Sequence, residues 1–592
     1  MRDAAAMDSL LHPHASTGTT LLTNVIARER TSLDGTWRAI VDPYDTGYVS
    51  ILGTRNDRGY FRDFTRRSPA DRVEYDFDRS LELEVPGDWN TQYPELLFYE
   101  GTVWYRRHID IEQPEQGRTF LHIGAANHTT RVFLDGDEVA THVGGFGPFA
   151  VEVTGRLAPG RHSLVLQVNN RREPERVPSM RTDWWNFGGI TRSVELVHVP
   201  DTFLRDAWLT MAPDGRLVGG ATVDGDDLTP VTVELPDAGL TAEVVDGRIE
   251  FAPEAVADLE RWQPGAPVHH TVRWNCGDDT IVDHVGFRTV ETVGNRIVVN
   301  GDEIYLRGIS IHGEGPSGGR RAHGPDDAAT LLGWAQELGC NFVRLAHYQH
   351  DEHMVREADR RGLLVWTELP VYWGIAFDDD TVRANALAQA DELVVRDRSY
   401  AGVILWSVAN ETLPGAGRDA FLTALVDRVR ELDPTRLTTA ALLTLPSVET
   451  DIHIDDPLGA VVDVLAVNQY YGWYYGSVAE LAELAYTNAF GKPVVFSELG
   501  AGAKAGLHGD PAEVWTEEHQ AAVYGAQIAM IRRQPDCVGM SPWILKDFRT
   551  PLRVLPGVQD GYNRKGLVSE EGDRKLAFDV LQRYYGEVAE SS

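Results

Sequence analysis

From Leu33 to Pro200 apolar and polar residues alternate in short runs, among them Leu81–Val85, Val103–Ile109, Thr119–Ile123 and Ser163–Val168. Turn pairs such as Asp135-Gly136 and Pro159-Gly160 stand between the runs. Strands that bury one face and close through tight turns give this pattern, so the stretch predicts an antiparallel β-sandwich. A second stretch, 201–290, holds Ala221–Val223, Val231–Leu235 and His270–Trp274, and its length suits one immunoglobulin-like β-sandwich.

After Gly286-Phe-Arg288 the rhythm changes to longer, continuous apolar runs. Eight of them read as strands: Ile304–Ile309, Asn341–Ala346, Leu363–Glu368, Val403–Ala409, Leu437–Leu442, Val464–Asn468, Val494–Glu498 and Val538–Ile544. Helical patterns lie between them, at Asp326–Leu338, His353–Arg361, Arg418–Leu432 and Glu517–Arg533. Strands apolar on both faces and alternating with helices predict a C-terminal (β/α)8 TIM barrel. A doubly wound open sheet is the competing architecture, but no GxGxxG follows any of these strands. The expected organisation is a loose tail over 1–22, a β-sandwich over 23–200, the immunoglobulin-like sandwich over 201–290 and the barrel over 291–592.

Composition narrows the function. A net charge of −34 repels phosphate backbones, so a nucleic-acid partner is not expected. An acidic substrate would need cations of the site's own. The three cysteines, Cys276, Cys340 and Cys537, form no CxxC pair, which argues against a disulfide framework and for a reducing, cytoplasmic setting. No signal peptide and no membrane span is read, and no HExxH or similar metal-ligand spacing occurs, so neither metal nor organic cofactor is expected.

In such a barrel the reactive groups project from the C-terminal ends of the strands. The fourth run ends in Trp406-Ser-Val-Ala-Asn410-Glu411 and the seventh in Pro493-Val-Val-Phe-Ser-Glu498, each an apolar run closing on a carboxylate. Singly, either Glu suits a salt-bridged strand end. Together they suit glycosidic hydrolysis, one acid protonating the leaving oxygen and the other attacking the anomeric carbon from about 5–5.5 Å away. Other strand ends carry sugar-binding chemistry: Arg344-Leu-Ala-His347-Tyr348, Asn468-Gln-Tyr470-Tyr471-Gly-Trp473 and Ser541-Pro-Trp543. Arg344 fits equally well as an ion-pair partner near the barrel rim.

The motifs Asp183-Trp-Trp-Asn-Phe-Gly-Gly-Ile190, Asn341–Tyr348, Trp406–Glu411, Asn468–Tyr474, Ser497-Glu498 and Ala505-Gly-Leu-His508 occur in one order along the chain. In this the chain resembles glycoside hydrolase family 2 and, within it, the β-glucuronidases. The resemblance runs from about Leu33 to the end and implies a sugar-binding jelly roll, an immunoglobulin-like domain and a catalytic barrel. It implies Glu411 as general acid/base and Glu498 as nucleophile of a retaining double displacement. It places Asn410 on the 2-hydroxyl, Tyr470 on the nucleophile, His347 and Trp543 around the terminal sugar, and Asp183 on a sugar hydroxyl from the jelly roll. Asn563 and Lys565, in Asn563-Arg564-Lys565-Gly566, would bind the C6 carboxylate of a terminal β-D-glucuronide, with Arg564 pointing outward.

Departures from the family pattern bear on the substrate. Leu499 stands where β-glucuronidases usually have Tyr, and Gln349 where Pro is usual. An extra segment, Pro556–Gly561, separates Arg553 from Asn563 and would hold that arginine away from the carboxylate. The loop Val371–Asp379 is short. A β-galacturonidase or β-galactosidase of the same family is therefore the alternative, as is an enzyme of longer uronic-acid glycans. A non-catalytic carbohydrate-binding protein is a remote one. By analogy with the family, a homo-oligomer, dimer or tetramer, is expected.

Overall fold

The computed structural model describes residues 13–591 apart from 51, 64–67, 69, 71–74, 114–115, 226–228 and 445–450. All eight apolar runs of the C-terminal half form strands, and these close on themselves as a parallel barrel. In chain order they are β1 (Leu306–His312), β2 (Phe342–Ala346), β3 (Leu364–Glu368), β4 (Val403–Asn410), β5 (Leu437–Leu443), β6 (Val464–Asn468), β7 (Val494–Glu498) and β8 (Cys537–Met540). Each strand is buried on both sides, which is why its sequence is apolar throughout rather than alternating. On β7, Val495 packs in the lower barrel interior with Leu306, Phe342 and Trp366, while Val494 and Phe496 pack outward beneath the helices.

Among the described residues the ring of α-helices is incomplete. Helices follow β1 to β4, β7 and β8, at Gly324–Glu337, Glu352–Arg360, Asp380–Asp397, Ala416–Leu432, Glu517–Ile531 and Leu576–Ser591. After β5 and β6 the described residues instead form a parallel pair, Asp451–Ile454 with Ala485–Asn488. The eighth predicted strand is shorter than its apolar run. It ends at Met540, before Ser541-Pro-Trp543, although Ser541 and Trp543 still donate their N–H groups to Phe496 O at 2.8 Å and Leu499 O at 2.9 Å.

The N-terminal sandwich packs a four-stranded sheet, Glu29–Ser32, Val194–Val199, Arg118–Ile123 and Phe149–Glu152, against a six-stranded one centred on Thr102–Ile111 and Gly160–Asn169. Most of the predicted loose tail 1–22 lies outside the described residues, but its end does not behave as a tail. Thr17 and Thr20 bridge Thr141 and Ala150, and Leu22 is buried, because the apolar end of the segment covers a sheet edge. The middle region forms sheets of three and four strands, a seven-stranded immunoglobulin-like sandwich around Trp274, Val233 and Leu209.

One loop of the N-terminal sandwich reaches the barrel mouth. Trp185 donates its backbone N–H to Arg549 O at 3.0 Å, and Trp184 packs edge-on against Tyr372 with ring centres 4.9 Å apart. Gln349, which stands where proline is usual, adds a second link through its backbone. Its carbonyl accepts from Arg192 at 2.6 Å, joining sandwich to barrel. The three cysteines are free, and among the described residues no helix is long and apolar enough to cross a membrane.

Candidate active site

Glu411 and Glu498 line one pocket of about 220 Å³ at the C-terminal mouth of the barrel. Local irregularity aims both of them. The pairing of β4 with β5 slips between Ser407 and Asn410, and that of β6 with β7 slips between Val467 and Asn468, so each strand end turns its last polar side chains toward the mouth. Glu411 itself has φ +51°, a left-handed conformation that costs a non-glycine residue about 1–3 kcal/mol. Its N–H, donated to Ala441 O at 2.8 Å, helps to hold the turn in place.

The two carboxylates sit in different surroundings. Glu411 accepts hydrogen bonds from Trp373 Nε1 at 2.8 Å and Asn468 Nδ2 at 3.1 Å. Burial, and then the negative charge of Glu498, push its pKa up to about 7, so near neutrality it holds a proton for much of the time. Glu498 accepts instead from Arg344 Nη1 at 2.8 Å and from the Tyr470 hydroxyl at 2.7 Å. Burial and the adjacent Glu498 raise the Tyr470 pKa far above its ordinary value, which keeps this phenol a donor.

Behind Glu498 lies a third carboxylate, Glu368 at the end of β3. Arg344 is fully buried between the two, with Glu368 at 3.1 Å, and also donates to Asn410 Oδ1 at 2.8 Å. Burial alone would raise the Glu368 pKa, but Arg344 and His347 hold it down at about 2. Arg344 is thus shared between two carboxylates, and His347 Nδ1 lies 2.7 Å from Glu368. Of the two readings open for Arg344, the ion-pair one describes its contacts.

At the far side of the pocket stand Asn563, Lys565, Arg553 and Asp183. Lys565 is 4% exposed, and its ammonium donates to the Tyr474 hydroxyl at 2.5 Å. Among the described residues it has no carboxylate partner, an expensive arrangement for a buried cation unless an anion joins it. Asp183 accepts from Thr550 at 2.7 Å, Arg553 at 2.6 Å and Asn563 at 3.2 Å, so the sandwich loop is tied directly to the loop bearing Lys565. Two expectations fail here. Arg564 does not point outward; it is buried and donates to Asp547 at 3.2 Å and to Val558 O at 3.0 Å. Arg553 is not held away by Pro556–Gly561, because that segment loops out between Arg553 and the short strand Tyr562–Asn563, and Gly561 N–H donates back to Arg553 O at 2.8 Å.

Gly566 completes this loop. A Cβ there would lie 2.1 Å from the Asp547 backbone nitrogen, and the glycine N–H donates to Asp547 Oδ1 at 2.8 Å. Lys575, also buried, donates to both oxygens of Asp547 at 2.8 and 2.9 Å. Asp547 is therefore the post on which the Lys565 loop hangs.

Of the residues singled out in the sequence, Asp183, His347, Glu411, Tyr470, Glu498, Trp543, Asn563 and Lys565 line the pocket. Asn410 lies one hydrogen bond behind it, with a buried side-chain nitrogen that has no protein partner. His508 of the Ala505–His508 motif does not join them; it is exposed and bonds Glu518 at 2.9 Å. The sequence reading passes over Tyr372, Trp373 and Glu368 as site residues, and gives Tyr474 only as the end of the Asn468–Tyr474 motif. Glu368 closes an apolar strand just as Glu498 does, so the same strand-end signal covers it. Trp373 and Tyr474 sit on loops, where no periodicity marks them.

Two family models match the chain: "Glycosyl hydrolases family 2, TIM barrel domain" over residues 290–589, and "Glycosyl hydrolases family 2, sugar binding domain" over residues 31–200. The chain is 28% identical to a Paenibacillus borealis protein named β-glucuronidase, over 96% of this chain and 98% of that one. It is also 28% identical to the human β-glucuronidase, over 95% and 92%. Among solved structures, a Faecalibacterium prausnitzii β-glucuronidase superposes with a TM-score of 0.80 at 25% identity, covering 95% of this chain and 98% of its own. A family 2 β-galacturonidase from Eisenbergiella tayi, bound to galacturonate, has a similar fold, with a TM-score of 0.78 at 22% identity over 95% and 98%.

Proposed function

Because the chain belongs to glycoside hydrolase family 2 and is a β-glucuronidase-like glycoside hydrolase, we propose that it is a retaining exo-β-glucuronidase acting on terminal β-D-glucuronides. The observation that carries this reading is the buried, carboxylate-free Lys565, with Asn563 beside it, across one pocket from Glu411 and Glu498. A sugar whose C1 lies at the glutamates and whose C6 lies at Lys565 would give that ammonium its missing anion through a charge-assisted bond.

In the proposed mechanism Glu411, protonated, gives its proton to the glycosidic oxygen while Glu498 attacks C1, and the leaving alcohol departs. The ester that forms removes the negative charge of Glu498. That charge is the second cause of the raised Glu411 pKa, so Glu411 becomes more acidic at the stage when it must take a proton from water. Water then delivers its oxygen to C1 and frees Glu498 with the β configuration kept. The unpartnered Asn410 nitrogen is suited to the 2-hydroxyl, where a hydrogen bond gains strength as charge develops on the ring.

Lys565 reads C6 and is indifferent to configuration at C4, so a β-galacturonide is the second reading. A β-galactoside, which has no C6 carboxylate, would leave Lys565 unpaired. Steady-state rates on aryl β-glucuronide, β-galacturonide and β-galactoside with one leaving group decide among them. The expected order places the glucuronide first and the galactoside last by at least about 100-fold in kcat/KM. Equal rates on glucuronide and galactoside would refute the reading.

A further inference from the structure

A second pocket adjoins the first on the side away from the glutamates. Its volume, about 260 Å³, is close to the 220 Å³ of the pocket assigned to one sugar ring, so it has room for another. The two share Tyr474, Arg553, Asn563 and Lys565 as a common wall.

The outer walls have the chemistry of a sugar site. Trp473 and Trp515 meet edge to face, 4.8 Å apart at 88°, and both are partly exposed. Gly502 seats them, since a Cβ there would lie 2.7 Å from Trp515 and 3.0 Å from Trp473. Half-exposed indoles offer flat faces to the C–H surface of a ring. Gln559 also lines the pocket; its Oε1 accepts from Leu555 N–H at 3.2 Å, so its amide nitrogen is the group it offers a ligand. It belongs to Pro556–Gly561, the segment set apart in the sequence as extra. Lys504 pins that segment by donating to Gly557 O at 2.6 Å, and Arg564 does so through Val558 O.

Charge sets the class of ligand. Arg553, Arg564 and Lys565 line this pocket and, among the described residues, no carboxylate does, in a chain of net charge −34. Arg553 pairs with Asp183, and Arg564 with Asp547 and Glu570, so among the described residues Lys565, which lies in the wall common to both pockets, is the cation placed to stand between the C6 carboxylate of the first sugar and an acidic group of the second.

We infer that the second pocket is a subsite for one further sugar unit bearing an acidic group, linked to the non-reducing side of the uronide held between the glutamates and Lys565. This rests on the proposed orientation, with C1 at Glu411 and Glu498 and C6 at Lys565, and it extends the substrate from a single terminal uronide to one capped by a second acidic sugar. The reaction is otherwise the same. The bond from C1 to the leaving oxygen breaks, water adds OH to C1 and H to the leaving group, and an intact disaccharide is released.

The test uses the full chain with two aryl β-glucuronides, one plain and one bearing a uronic-acid unit at O4, together with the free O4-linked diuronic acid as a binding probe. The subsite predicts that the capped glycoside is hydrolysed to the intact disaccharide. It also predicts that the diuronic acid binds about tenfold more tightly than the single uronic acid by calorimetry. Trp515→Ala should remove that gain and lower kcat/KM for the capped glycoside about tenfold, while turnover of the plain glucuronide certifies the fold and stays unchanged. Trp515→Phe should keep most of the gain. Refusal of the capped glycoside by enzyme that turns over the plain one, or equal affinity for the two acids, would overturn the inference and leave the proposed function standing. Failure on the plain glucuronide would count against the proposed function, and the binding comparison would still decide the subsite. A neutral sugar at O4 that binds as tightly as the acidic one would overturn the assignment of charge.

Discussion

Glu498→Gln should abolish turnover, with kcat falling by roughly 10⁴-fold or more, while affinity for a uronide product should change little. The amide keeps the size of the side chain, and its oxygen can still accept from Tyr470, which donates to the carboxylate at 2.7 Å. What is lost is the carboxylate that, in the proposed mechanism, attacks C1. The substitution also removes a charge from the neighbourhood of Glu411, whose pKa stands at about 7 through burial and then through Glu498. The Glu411 pKa in the variant should therefore fall, and carboxyl-stretch infrared titration measures it. In the unaltered enzyme the acid must be protonated, so kcat/KM should decline as pH rises through about 7. A variant that kept its rate, or a Glu411 pKa unmoved by the loss of Glu498, would show that the two groups do not work as a coupled pair.

The second large effect is on selectivity. Lys565→Met should lower the ratio of kcat/KM for glucuronide over glucoside by on the order of 10²–10³, the cost of truncating one partner of a buried charge pair. Most of the change should come from the glucuronide, with the glucoside nearly unaffected. Stability gives an independent check, because Lys565 is buried and, among the described residues, its ammonium has only the Tyr474 hydroxyl as a hydrogen-bond partner. An ammonium placed there for packing would lower Tm when removed. One placed there for a substrate anion is a burden on the folded state, so its removal should leave Tm unchanged or raise it. Thermal unfolding without ligand distinguishes the two.

The barrel is legible in the sequence because a strand buried on both sides must be apolar along its whole length, and eight such runs stand out from 304 to 544. Glu411 and Glu498 are legible for the same reason, as carboxylates that end a run where packing calls for none. Glu368 obeys the same rule, yet nothing in the sequence separates a carboxylate inside the barrel wall from one that faces the substrate. That distinction rests on Arg344, which the fold places between Glu368 and Glu498. The pose of Arg564 is set by Asp547, Glu570 and the Val558 carbonyl, contacts between loops that no periodicity encodes. Trp373 and Tyr474 fall under the same limit. The chain places them by tertiary packing of loops, and the alternation of apolar residues says nothing of them.

The account stands on Glu411 and Glu498 acting across one sugar ring, with Glu498 forming the bond. A 2-fluoro-glucuronosyl donor with a good leaving group tests this directly, since the fluorine slows formation and breakdown of the intermediate while the leaving group restores formation. Digestion and mass spectrometry should find one sugar per chain, esterified to the peptide containing Glu498. A label on Glu411 or on any other residue, or turnover that gives the α-anomer first with no adduct, would contradict it.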